Sequence, residues 1–223
     1  MTIPSNDATP AGKIKSLKVA KQAFIGGLFG GITTYAALTL LDGRLALFED
    51  PQRLTALVAG LVFAVMALFV GFGVAAPHLG SKLLNVVDAD ELRERRSDLG
   101  SGVILIALTA AILLLLSVTS VDGSPGLLSE PVSTVAVGLL FVILGIASFL
   151  TRNYGDELDK LLSVESAALA MNLSITLFGG WGILSYLGHV PWIGPLGLFS
   201  GLLISYMVAI FWVVGRRGLL GQP

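Results

Sequence analysis

The sequence predicts an all-α polytopic membrane protein with six transmembrane helices arranged as three helical hairpins, a parallel pseudo-repeat. Three observations point there. The 223 residues are 54% hydrophobic and only 13% charged, against about 25% charged residues in a soluble domain, and the mean hydropathy is +0.85. The apolar residues fall in six runs near the length that carries a helix across ~30 Å of hydrocarbon. Short motifs then recur in the same order along alternate runs.

Composition also excludes functions. A formal net charge of -1 supplies no dense basic patch, so nucleic acid is not an expected partner. The chain has no Cys, which removes disulfides, thiolate metal sites and Cys nucleophiles together. With only two His, few catalytic or transition-metal arrangements remain open.

Residues 1–12 are short, polar and Pro-containing, the make-up of a flexible N-terminal tail. Lys13, Lys15 and Lys18 precede the first apolar run, residues 20–41, and Lys21 stands at its start. That run exceeds the roughly 7–15 residues of a signal-peptide core, and no small-x-small site follows before Asp42, so a retained spanning helix is expected. Five further runs cover residues 54–76, 102–121, 132–150, 166–187 and 193–214. A membrane β-barrel would need alternating segments of about ten residues instead. The expected hairpins are 13–77, 78–155 with its leading cytoplasmic loop, and 156–223 with the C-terminal tail, all within one transmembrane domain.

Six crossings put both termini on one face, together with the loops around 82–98 and 152–160. Twelve of the fourteen Lys and Arg fall on that face, and only Arg44 and Arg53 on the other. The excess of positive charge marks the cytoplasmic side, so the expected location is the cell (inner) membrane with both termini cytoplasmic. Tyr186 and Trp192 sit near one interface, Tyr154 and Trp212 near the other, where amphipathic rings prefer to lie.

The repeat is carried by small motifs. The even-numbered runs contain Gly60-Leu61-Val62-Phe63, Gly138-Leu139-Leu140-Phe141 and Gly201-Leu202-Leu203-Ile204. The odd-numbered runs contain Leu28-Phe29-Gly30-Gly31, Leu108-Thr109-Ala110-Ala111 and Leu177-Phe178-Gly179-Gly180. Asp42-Gly43 and Asp122-Gly123 mark outer turns in two units, with Gly188-His189 near the third. Asp90-Glu91-Leu92 and Asp156-Glu157-Leu158 open the second and third units. Hairpins that all enter from one face form a parallel repeat about an axis along the membrane normal.

Lipid tails are as apolar as Leu, so close approach through small residues must hold such helices together. Candidate seams are Gly26 and Gly30 in the first run, Asn172, Thr176 and Gly179 in the fifth, and Gly197 and Gly201 in the sixth. Glu165, one turn below Ala168, Asn172 and Thr176, is the ionisable group nearest to entering the membrane, and such groups mark ion or proton paths by default. The competing reading makes Asn172 and Thr176 interhelical polar glue.

The most charged stretch holds Asp88, Asp90, Glu91, Arg93, Glu94, Arg95 and Arg96. Its carboxylates could attract a divalent cation, but the interleaved arginines cancel that field, and a cytoplasmic helical extension laced by ion pairs is the better reading. His78 and His189 stand at opposite ends of the bilayer and cannot share a metal. No nucleophile–base pair, phosphate loop or Schiff-base lysine is apparent, so no catalytic, cofactor or metal residues are expected. The resulting expectation is a non-enzymatic accessory or scaffold subunit whose partners are the lipid bilayer and other membrane proteins or copies of itself. The alternative is a small-solute or ion transporter with a path near Glu165, Asn172 and Thr176.

Overall fold

A computed structural model describes residues 31–32, 34–36, 38–40, 50–76, 96–121, 125–151 and 157–217. Among them every regular element is a helix. The tail 1–12, the glycines Gly26 and Gly30, the Asp-Gly turns and the loop residues Asp88, Asp90, Glu91, Arg93, Glu94 and Arg95 lie outside the described residues.

Helix α1 spans Pro51–Ala75. Asp50 caps it, its Oδ1 accepting from the backbone N–H groups of Gln52 at 3.0 Å and Arg53 at 3.3 Å, and Pro51 takes the first position, where no N–H is needed. Helix α2 spans Arg96–Ser117 and α3 spans Glu130–Thr151. Helix α4 spans Glu157–Ser174, runs on through a π-helical turn at Ile175–Gly179, and continues as α5, Gly180–Tyr186. Helix α6 spans Pro195–Arg216.

Among the described residues five helical stretches are long and apolar enough to cross a membrane, with α4, the π turn and α5 acting as one rod of 30 residues. They correspond to the second through sixth apolar runs. The first run is helical where described, between residues 31 and 40. Some helices outrun their apolar cores. Helix α4 starts at Glu157 rather than near 166 because its acidic first turn, Glu157 and Asp159, suits the positive end of a helix dipole.

Among the described helices α1 is the hub. It lies against α2 and α6, while α3 packs on the far side of α2 and α4 on the far side of α6. The largest contact among the described helices, α1 with α2, joins the second run to the third and so crosses the boundary between the first two expected hairpins. The core is built from Ala56, Ala59 and Phe63 of α1 with Ala110 and Leu113 of α2, flanked by Leu196, Phe199 and Leu203 of α6. Alanines at this crossing let backbones approach closely, the device that works when lipid supplies no hydrophobic drive.

The three aligned glycines differ in what surrounds them. A Cβ at Gly60 would stand 2.9 Å from Leu114 Cγ and 3.2 Å from Leu113 Cβ, and one at Gly201 would run into the Phe178 ring, whereas Gly138 has nothing within 4 Å. The loop after α2 folds back on itself: Ser120 N–H donates to Leu128 O and Leu127 N–H to Val118 O, both at 2.8 Å. After α5 the chain turns at Gly188, whose φ of 78° places it in the left-handed region that ends many helices. His189 N–H closes the turn onto Leu184 O at 2.9 Å.

Candidate functional site

Two joints fix the ends of the bundle. At one end Arg53, only 4% exposed, reaches from the first turn of α1 to the last of α2, where its Nε–H donates to Ser117 O at 3.0 Å. The final carbonyls of a helix have no intrahelical donor and carry partial negative charge, so a guanidinium there is favoured. From the sequence alone Arg53 reads as a loop charge. Its neighbour Gln52 presses its amide against Gly194, leaving no room for a Cβ, and ties the start of α6 to the same joint.

At the other end Arg217 donates from Nε at 3.0 Å and Nη2 at 2.6 Å to one oxygen of Glu165. Both side chains are more than a third exposed. This contact and that of Phe178 with Gly201 set an antiparallel register between α4 and α6. In that register Ser166, Ala170 and Ser174 stand level with Val213, Ala209 and Ser205, and all six are buried. Four-residue spacing of small side chains on both helices gives the close approach.

Asn172 and Thr176 occupy the opposite side of α4 and are exposed, as are Ala168 and Gly179. Asn172 is two residues beyond Ala170, roughly 200° around the helix. The fifth-run stripe read from the sequence is therefore an outward face of the described bundle, flanked by Met171, 62% exposed, and Ile175, 60% exposed. Thr109, Ser117 and Ser200 of the other apolar helices turn inward on their own backbones, donating to carbonyls three or four residues back at 2.8–2.9 Å, whereas the buried Ser133 Oγ of α3 has no such partner. Among the described residues neither Asn172 nor Thr176 has a side-chain hydrogen-bond partner. Thr176 and Gly179 also lie within the π turn, a feature often found at functional sites.

The remaining predicted residues scatter. Gly197 is half-buried between Ile193 and the Gln52 stem, Gly201 lies under Phe178, and Arg96 is exposed at the start of α2. Thus Gly197 and Gly201 join the packed seams, Glu165 joins the ion pair, and Asn172, Thr176 and Gly179 share the outward stripe. Arg53 is the functional-looking residue that sequence reasoning missed. Its only signal was a Pro and a charge immediately before an uninterrupted apolar run.

Helices of this length and composition are those of a membrane protein of the all-α, polytopic class, in contact with the bilayer. Searches among protein-family models, curated proteins and solved structures find no match to this chain.

Proposed function

We propose that the chain is a non-enzymatic accessory or scaffold subunit of the cell (inner) membrane, built as a parallel set of hairpins, which presents an outer helix face to another membrane protein or to itself. The observation that carries this reading is Asn172, an exposed amide two turns inside an apolar span. A polar group facing hydrocarbon without a partner costs several kcal/mol in order of magnitude. A neighbouring helix removes that cost by hydrogen bonding across a seam of small residues. Helix α3 offers the contrast. Its exposed middle, residues 135–146, is wholly apolar or glycine, a surface that lipid alone satisfies.

The same placement favours this reading over a transport path. A path between hairpins needs its polar groups turned toward neighbouring helices, whereas Asn172 and Thr176 face away from α6 and Glu165 is engaged by Arg217. Purification from native membrane in mild detergent tests the proposal. A stoichiometric partner or a defined homo-oligomer is expected. A monomer whose Asn172→Cys variant reacts with water-soluble thiol reagents in the membrane would instead favour the transport path.

A further inference from the structure

We infer that the outward stripe of α4 is a homodimer interface, with a second copy of this chain as its occupant and Asn172 paired with Asn172 of that copy; this rests on the scaffold reading above. The stripe runs along one helical face through Val164, Ala168, Asn172, Ile175 and Gly179, all exposed. Its spacings of three and four residues keep it on one side of the helix. Gly179 has nothing within 4 Å of where a Cβ would stand, and Ala168 adds a second low point, so a facing helix can approach closely.

Why a second copy rather than a different chain? Two copies inserted in the same sense relate by an axis along the membrane normal, so each residue meets its own counterpart at the same depth. Such an interface must be self-complementary. An amide is, because Asn carries both a carbonyl acceptor and an NH₂ donor, and the Thr176 hydroxyl one turn on is likewise both. A Lys or Glu at that depth would repel itself, and none is there. The like charges on this face are Glu157 and Lys160, at the start of α4, the end where ions within a Debye length of about 8 Å screen their repulsion.

The absence of cysteine makes the test direct: single-cysteine variants of the full chain, oxidised in native membranes. Cysteines at Ala168, Asn172, Ile175 and Gly179 are expected to yield a linked species of twice the chain mass, since a disulfide needs Cα atoms within about 7 Å. Cysteines at Ala170 and Ser174, turned toward α6, and at Ile143 on α3 are expected to yield none. In liposomes Asn172→Leu is expected to raise the dimer dissociation constant about 3- to 30-fold, the range of interhelical polar contacts, and Asn172→Gln less. Cross-linking through Ile143, cross-linking without helical periodicity, or a monomer at every protein-to-lipid ratio overturns the inference. Two failures are distinguishable. A different protein recovered in stoichiometric amount and shielding position 172 leaves the scaffold reading intact and removes the second copy. A monomer with Asn172→Cys open to water-soluble reagent removes both.

Discussion

The Nε–H of Arg53 donates to the carbonyl of Ser117 at 3.0 Å, joining the first turn of α1 to the last turn of α2 inside a buried joint. The donor is charged and the acceptor is a helix-terminal carbonyl, the pairing in which a hydrogen bond is strongest. Arg53→Leu removes that donor from Ser117 O while keeping apolar volume. It is expected to lower stability by about 1–3 kcal/mol, the cost of a lost buried partner, and Arg53→Lys by less. Denaturant titration in detergent measures the order. Equal stability in Arg53→Leu and the parent would place the guanidinium elsewhere.

The aligned glycines make a second, internally controlled set. Gly201→Ala drives a methyl into the Phe178 ring and Gly60→Ala drives one against Leu114, so both are expected to destabilise, by about 1–3 kcal/mol for overpacking. Gly201→Ala should also loosen α4 from α6 without disturbing α1 and α2. Gly138→Ala meets nothing and is expected to be neutral. Thermal unfolding of the three variants side by side is sufficient, and three equal losses would argue that the repeat imposes equivalent packing after all.

These glycines also show what the sequence could and could not reveal. Apolar run length gave five spans close to their observed positions, because bilayer thickness acts on each helix separately. The packed face did not follow from the same information. On α4 two small-residue stripes compete, Ser166-Ala170-Ser174 and Ala168-Asn172-Thr176, displaced by two residues and so on nearly opposite sides. Each satisfies the same spacing rule. The choice is made by α6, whose Ser205, Ala209 and Val213 accept the first stripe, and by Glu165 meeting Arg217. That is tertiary information absent from either segment alone. Arg53 was illegible for a related reason: a charge at the edge of an apolar run reads as solvent-facing until the end of another helix is placed beside it. The π turn at Ile175–Gly179 has no compositional mark.

The Glu165–Arg217 pair is short, but both side chains are more than a third exposed to water. Exposed ion pairs contribute about 0–1 kcal/mol, so Glu165→Gln and Arg217→Gln are each expected to change stability by less than about 1 kcal/mol, and 0.5 M salt should shrink the difference further. Their double variant should match the singles. A loss well above that range in Glu165→Gln would assign the carboxylate a role beyond clasping α4 to α6.

The two joints also predict topology. Arg53, Ser117 and Gly194 cluster at one end of the bundle, and Glu165 with Arg217 at the other. Among the described residues Arg96, Lys160, Arg216 and Arg217 belong to the second end, against Arg53 alone at the first. Positive charge is retained on the cytoplasmic side, so the first end is expected to face outward. Leu127→Cys and Trp192→Cys, at exposed loop positions, should therefore react with a membrane-impermeant thiol reagent in intact cells. Lys160→Cys and Arg216→Cys should react only after permeabilisation. The reversed pattern would keep the antiparallel bundle and invert its orientation, whereas labelling of positions 127 and 160 from the same side would break the succession of crossings on which α3 and α4 depend.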